Sequence, residues 1–261
     1  MEVIKGKQET PWKVCLYGVG GIGKTTLAAY AQKPFIINLE DGVDRIDADK
    51  SPYITRWHSL TDQDGKKVYG FRDAMAWAIQ SDYKTIVVDT ADGLEKILSE
   101  KILDEDAEHT GERKESLAQF GYGKGFEMLA SAWAYCIDMF DACNKAGKNV
   151  VLVAHDKIEK YEDPTAENYG RYQLQIHKKS APIVFNRMDA ILFARWETYV
   201  KAKIDKDFNN NAKQRAVGTG KRIIHTMDEP GWNAKNRFGL PKSIELGETP
   251  EELRKFWELI K

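Results

Sequence analysis

The sequence predicts an α/β fold in which a mostly parallel central sheet is flanked by helices and gains antiparallel strands on its C-terminal side. Mostly apolar, β-branched runs at 85–88 and 150–154 are typical of parallel strands covered on both faces. Between them, residues 126–146 keep a helical stripe of Trp, Phe, Leu, Ile and Cys side chains. The 261 residues contain no linker, repeat or low-complexity tract, so we expect a single domain over 1–261.

A glycine-rich turn joins the first predicted strand, 14–17, to the first predicted helix, and it fits the pattern G-x-x-x-x-G-K-[ST]. Such a turn directs backbone N–H groups and the positive end of a helix toward one point, where phosphates bind. A lysine at its end contacts the β and γ phosphates, and the following hydroxyl holds Mg²⁺. The motif predicts a nucleotide-binding protein whose phosphate-binding residues are Gly18, Gly20, Gly21, Ile22, Gly23, Lys24, Thr25 and Thr26.

Glu40, Asp89 and His155 each follow directly after a predicted strand. Ligands bind at the carboxyl ends of parallel strands, so we expect these side chains to face the nucleotide. Asp89 fits the Walker B carboxylate, which holds Mg²⁺ together with Thr25. His155 is placed to sense the γ phosphate. The alternatives are a solvated acidic turn at Glu40 and, at His155, a histidine that merely ends a strand.

Two polar stretches bear on nucleic-acid binding. Residues 156–180 interleave three tyrosines with five bases, a pattern typical of stacking platforms, but five acidic residues cancel the charge and leave the question open. Residues 201–222 carry seven bases against two acids and form the one clearly basic stretch.

Shorter patterns predict the remaining elements. Thr249 as N-cap, Pro250 at the first helical position and Glu252 after them indicate a closing helix. The other predicted elements are a strand at 35–39, a weak strand at 54–57, a helix at 71–81, an acidic helical stretch at 94–119 with a mobile loop at 108–113, strands at 188–194, 199–204 and 222–226, and an ordered loop at 230–241.

The composition limits the classes of partner and the compartment. The formal net charge of −1 excludes a global basic field, so any nucleic-acid binding needs a local patch. The three cysteines, Cys15, Cys136 and Cys143, lack metal-ligand spacing and are expected to be reduced core residues. With neither a signal peptide nor an apolar run of membrane length, the sequence favours a cytoplasmic protein, in the host cell cytoplasm if it is phage-encoded.

The order of these motifs resembles the RecA/RadA recombinase core, and most closely its short phage-encoded versions, which are associated with single-strand annealing and recombination. The resemblance covers 12–246 and is most specific in the stretch 36–44, Ile-Ile-Asn-Leu-Glu-Asp-Gly-Val-Asp. It implies a RecA-like P-loop NTPase fold with ATP and Mg²⁺ as cofactors. It also implies that Glu40 polarises the attacking water and that Asp44 lies near the adenine.

The same resemblance implies a DNA-dependent assembly. His155 occupies the place of the polar sensor that opens the second DNA-binding loop, which would be 156–180, and the first would be roughly 104–124. Lys235-Asn236-Arg237 resembles the Lys/Arg pair that such ATPases insert into the neighbouring subunit's site, which implies a ring or filament of identical subunits. The alternative for this pair is an ordinary basic surface.

The leading hypothesis from the sequence is a Mg²⁺-dependent ATPase that binds single-stranded DNA as a homo-oligomer in phage recombination or annealing. A second is a nucleotide-gated loader for an annealing or single-strand-binding partner that does not itself bind DNA. A P-loop kinase is disfavoured because no arginine-rich lid segment is apparent. ATP is the expected nucleotide, since the sequence lacks the guanine signature N-K-x-D.

Overall fold

A mixed β-sheet runs through the centre of the molecule in the computed structural model, which describes residues 6, 10–162, 167–202 and 214–260. The strands are β1 (Lys13–Gly18), β2 (Pro34–Asn38), β3 (Leu60–Thr61), β4 (Lys67–Val68), β5 (Thr85–Asp89), β6 (Asn149–Tyr161), β7 (Tyr169–Leu174), β8 (Ala190–Ala202), β9 (Gln214–His225), β10 (Lys235–Asn236) and β11 (Ser243–Leu246). The helices are α1 (Lys24–Ala29), α2 (Phe71–Gln80), α3 (Ala91–Thr110), α4 (Lys124–Lys145), α5 (Ala181–Arg187) and α6 (Pro250–Glu258).

The strand order is β11-β9-β8-β1-β6-β5-β2. Neighbours from β8 to β2 are parallel, whereas β9 and β11 add antiparallel strands at the C-terminal side. This arrangement confirms the predicted RecA-like P-loop fold. Because β6 lies between β1 and β5, the ends of three parallel strands meet at one edge of the sheet.

Alternation along β1 divides the core between the two faces of the sheet. Val14 and Leu16 pack into a cluster with Leu27 of α1 and Trp257 of α6. Cys15 and Tyr17 point to the opposite cluster, which contains the residues under α2, α3 and α4. Cys15, Cys136 and Cys143 are buried and unbridged, as predicted.

Residues 156–180 differ from the predicted loop. Strand β6 continues to Tyr161 and pairs antiparallel with β7, so residues 156–161 and 169–174 form a β-hairpin beyond the carboxyl ends of β1 and β5. Arg171, one of the five bases of this stretch, is only 7% exposed and donates to Asp228 and to two backbone carbonyls. The sequence signal was weak because charged and amide side chains outnumber aliphatic ones along both strands of the hairpin.

The region 104–124 is also more ordered than predicted. Helix α3 extends to Thr110 and ends at Gly111, whose φ of 77° suits a helix C-cap. Arg113 then folds back onto Glu100 and Asp104 of the same helix. The expected mobile loop at 108–113 is therefore half helix, held by ion pairs that an apolar-period pattern does not detect.

Three smaller predictions need correction or lie outside the described residues. The weak strand at 54–57 is irregular backbone. The separate strands at 188–194 and 199–204 are one strand, β8, which is parallel to β1 and antiparallel to β9. The central part of the basic stretch, 203–213, lies outside the described residues.

The closing helix forms as predicted. The Thr249 hydroxyl accepts from the Glu252 N–H, and the Glu252 carboxylate accepts from the Thr249 N–H, which is a complete capping box. The Trp257 indole stacks on Trp12 with centroids 5.3 Å apart and donates to the Leu27 carbonyl at 2.8 Å. Helix α6 thus supports α1, which carries Lys24. None of the helices in the described ranges has the length and apolar character that a membrane crossing needs.

Candidate nucleotide site

The turn after β1 is held tightly against the sheet. Gly18 has φ 151°, and a Cβ there would lie 1.9 Å from the Ala194 carbonyl oxygen, so only glycine fits. Ile22 is 1% exposed and anchors the turn in the core. Gly23, with φ 94°, precedes the first residue of α1, Lys24. These constraints curl the backbone around the space in front of α1.

The Lys24 ammonium closes this turn. It donates to the carbonyls of Gly18 at 2.8 Å and Val19 at 3.1 Å. Desolvation lowers the pKa of Lys24, while the carboxylates of Asp156 and Asp89 oppose that shift. A phosphate arriving here would meet a cation that is already held at the loop.

Thr25 and Asp89 are in direct contact at the base of the site. The Thr25 hydroxyl donates to Asp89 Oδ2 at 2.8 Å. Asp89 is 2% exposed, and its Oδ1 has no hydrogen-bond partner among the described residues. Burial, with a contribution from Glu40, raises the pKa of Asp89 to about 6. A buried carboxylate oxygen without a partner, beside a hydroxyl, fits Mg²⁺ or one of its bound waters.

Glu40 and His155 line the same cavity as this pair. The His155 Nε2 lies 3.8 Å from Glu40 Oε1, and the Glu40 side chain is 43% exposed. On its other side, His155 Nδ1 lies 3.1 Å from Asp92 Oδ2. Hydrogen bonding to Asp92 raises the pKa of His155 against the opposing effect of burial.

The sequence reasoning missed Asp92. Its contact with His155 depends on the register of β5 and β6, in which Asp89 pairs with Val153, and on the helix that begins two residues after Asp89. The available signal was an acidic residue in the first turn of a helix that follows a strand ending in Asp. That feature alone is common at helix N-termini.

These groups surround one cavity of about 310 Å³ at the carboxyl edge of the parallel strands. Among the predicted site residues, the structure brings together Gly21, Gly23, Lys24, Thr25, Thr26, Glu40, Asp89 and His155.

Four predicted nucleotide-contacting residues do not line this cavity: Gly18, Gly20, Ile22 and Asp44. Gly18 and Ile22 shape the turn from outside the cavity, because Gly18 lies against the Ala194 carbonyl and Ile22 is buried in the core. Asp44 is exposed on a short 3₁₀ turn, and its neighbours Val43 and Ile46 line the cavity instead. The side next to the Glu40 turn is therefore partly apolar.

Lys235 and Arg237 lie away from this cavity. Lys235 pairs with Ile191 near the start of β8, whereas the turn after β1 lies beside Ala194, further along that strand. The Lys235 ammonium donates to the carbonyls of Phe185 and Asn186, and Arg237 pairs with Asp189 at 3.2 Å. Neither side chain completes the site of its own chain.

A family model described as an AAA domain matches residues 10–238. The chain belongs to this AAA family. The matched range contains the glycine turn, Glu40, Asp89, His155 and the Lys235–Arg237 segment. Family, fold and site geometry together support a P-loop ATPase that binds nucleotide.

Comparisons with solved structures and with curated proteins do not extend the AAA assignment. A crystal structure of a KaiC-like protein from the hyperthermophilic archaeon Pyrococcus horikoshii OT3 is similar at 10% identity, covering 92% of this chain and 87% of that chain, with a TM-score of 0.41. A TM-score of this size carries no argument about the site. Comparison with curated proteins gives no match.

Proposed function

We propose that this AAA domain is a Mg²⁺-dependent ATP hydrolase. The observation that supports this most directly is the convergence of Lys24, Thr25, Asp89 and Glu40 on one cavity. Lys24 and the backbone N–H groups of the turn would bind the β and γ phosphates. Thr25 and Asp89 would hold Mg²⁺, which when bound neutralises charge on the transferring phosphoryl group.

Glu40 is the proposed base for the attacking water. Its carboxylate is partly exposed and lines the same cavity as Thr25 and Asp89, where it can accept a proton from water. His155 beside it is the proposed sensor of the γ phosphate. Its place at the root of the β6–β7 hairpin would connect nucleotide state to the hairpin.

We further propose that the protein assembles on single-stranded DNA and acts in phage recombination or annealing, as the resemblance to short recombinase cores implies. The β6–β7 hairpin supports DNA binding, because the rings of Tyr161 and Tyr169, the last paired residues of its two strands, lie 5.4 Å apart. Lys235 and Arg237 would act on the neighbouring subunit's nucleotide. Their distance from their own cavity is compatible with that role.

A nucleotide-gated loader that binds a protein partner and no DNA is the second candidate. It is favoured by the acidic helix α3. Arg113, which follows this helix, is already paired with Glu100 and Asp104 of the helix. The proposed first DNA loop, roughly 104–124, therefore presents acidic side chains around the C-terminal end of α3. Such a surface suits a basic protein segment better than a phosphate backbone.

Steady-state ATP hydrolysis, measured with Mg²⁺ or with EDTA and with or without a single-stranded oligonucleotide, tests the proposal. The hydrolase proposal expects turnover that requires Mg²⁺, and the DNA proposal expects the oligonucleotide to stimulate it. Turnover without stimulation supports the loader. Absence of turnover under every condition contradicts the hydrolase itself.

Assembly is tested by mass measurement with a non-hydrolysable ATP analogue and a short oligonucleotide. The proposal expects a multimer under these conditions. A monomer in every sample contradicts the roles of Lys235 and Arg237 in trans.

A further inference from the structure

We propose that Asp92 is a positioning residue for hydrolysis, which orients His155 so that its Nε2 faces Glu40 and the cavity. This inference rests on the proposed hydrolase function and extends it to a residue outside the nucleotide-binding motifs. Asp92 does not line the cavity and would act only through His155.

The contacts between Asp92 and His155 fix both the ring and the backbone of the histidine. The two carboxylate oxygens lie 3.2 and 3.1 Å from Nδ1, and Oδ1 also accepts from the His155 backbone N–H at 3.3 Å. A carboxylate accepts hydrogen bonds and cannot donate them when ionised, so Nδ1 must carry a proton. The tautomer and the ring orientation are thereby set by one side chain.

Asp92 is itself held in place by the start of α3. Thr90 is the N-cap of this helix, and its hydroxyl accepts from the Gly93 N–H at 3.3 Å. Gly93 lies so close to the end of β2 that an added Cβ would be 2.6 Å from the Leu39 carbonyl oxygen. The segment that carries Asp92 is therefore packed directly behind the residue that precedes Glu40.

With Nδ1 committed to Asp92, Nε2 is the ring atom available to the site. The distance of 3.8 Å between Nε2 and Glu40 Oε1 is too long for a hydrogen bond. A small movement of either side chain on nucleotide binding would bring the two atoms within hydrogen-bond distance. The charged groups around the ring are Asp92, Glu40, Lys24 and Asp89. Two carboxylates adjacent to the ring favour the imidazolium, which can donate from Nε2 to Glu40 or to a phosphate oxygen.

The chain offers a matched pair of acid-to-amide variants on two helices, α3 and α4. Asp92→Asn replaces one carboxylate oxygen with an amide NH₂ that can donate to Nδ1, so Nδ1 is no longer held protonated, whereas Asp138→Asn changes an exposed residue of α4 that is paired with Arg187. We expect Asp92→Asn to lower kcat roughly 10- to 100-fold with little change in the KM for ATP, as loss of an orienting partner of a histidine does. Asp138→Asn should leave both constants unchanged.

A double-mutant cycle separates positioning from a merely structural role. If Asp92 acts through His155, then Asp92→Asn should cost nothing further in a His155→Gln background. Additive losses, or an equal fall in kcat for Asp138→Asn, would overturn the inference. A wild-type kcat in Asp92→Asn would also overturn it.

Long-range ¹H–¹⁵N NMR of His155 in the full-length chain gives a readout that does not require turnover. We expect protonated Nδ1 in the wild type and loss of that preference in Asp92→Asn. A wild-type spectrum in which Nδ1 is unprotonated contradicts the proposed positioning whether or not ATP is hydrolysed. A wild type that shows the expected tautomer and no turnover under any condition contradicts the hydrolase proposal instead.

Discussion

At the scale of single residues, Asp89 is the most constrained charge of the site. It is nearly fully buried, it accepts from the Thr25 hydroxyl, and its other oxygen has no partner among the described residues. Burial disfavours its ionised form, and a bound cation would restore it. The carboxylate is thus arranged to gain its second partner only when metal and nucleotide arrive.

The raised pKa of Asp89 predicts a pH dependence of MgATP binding. As the pH falls through about 6, Asp89 takes up a proton and the cation loses a ligand. We expect the affinity of the wild type for MgATP to fall about tenfold between roughly pH 7.5 and 5 through this group. Titration of a fluorescent ATP analogue at several pH values measures it.

The matched variant for this pH series is Asp89→Asn, which removes the titrating group and leaves the nucleotide's own titration in place. Its affinity should be weak and should change less with pH than that of the wild type. Identical pH profiles for the two proteins would rule out Asp89 as the titrating ligand.

At the scale of elements, the β6–β7 hairpin and α3 meet beside the carboxyl end of β5, at His155 of β6. Asp92 holds the root of the hairpin at His155, and Glu95, one turn further along α3, accepts from the His177 N–H at 2.8 Å beyond β7. Glu95 also accepts from the Trp133 indole of α4 at 2.8 Å. The hairpin is therefore fastened at both ends to the helix that starts after Asp89.

Packing at the start of α3 predicts the effect of Gly93→Ala. Helix propensity favours alanine by about 1 kcal/mol, but the new Cβ would meet a backbone oxygen that cannot move without shifting β2. Overpacking of this kind costs about 1–3 kcal/mol, so we expect a net loss of stability on urea unfolding together with slower ATP turnover. Displacement of Asp92 and Glu40 is the physical reason for the slower turnover.

Gly231 provides the control for that substitution, because a Cβ there meets nothing within 4 Å and its φ is not in the left-handed region. Gly231→Ala should have near wild-type stability and turnover. If Gly93→Ala proves as stable and as active as Gly231→Ala, the close packing of α3 against β2 is not a constraint on the site.

Particular elements show how much the sequence could predict. Strands β1 and β5 and helices α4 and α6 follow local patterns, and the structure has them within a few residues of the predicted bounds. The hairpin did not follow such a pattern, since charged and amide side chains outnumber aliphatic ones along both of its strands. Asp92 was missed for a different reason: its role depends on which strands are neighbours, which a local period does not encode.

At the scale of the whole molecule, the cavity and the Lys235–Arg237 segment lie toward different edges of the sheet. The carboxyl ends of the parallel strands carry the cavity, and the Lys235–Arg237 segment lies toward the start of β8. Arg237 has a side chain that is 59% exposed, whereas Lys235 is committed to two backbone carbonyls. If subunits stack so that one edge meets the other, Arg237 is the better placed of the two to reach a neighbouring phosphate.

Equilibrium binding of MgATP, measured together with turnover on Lys24→Ala and Glu40→Gln, tests the proposed site most directly. Lys24→Ala should lose nucleotide binding, and Glu40→Gln should bind like the wild type and lose turnover. Lys33→Ala is the control, because that lysine is paired with Asp82 on the surface. Wild-type MgATP affinity in Lys24→Ala would contradict the site, and normal turnover in Glu40→Gln would place the base elsewhere, with Asp41 the first candidate.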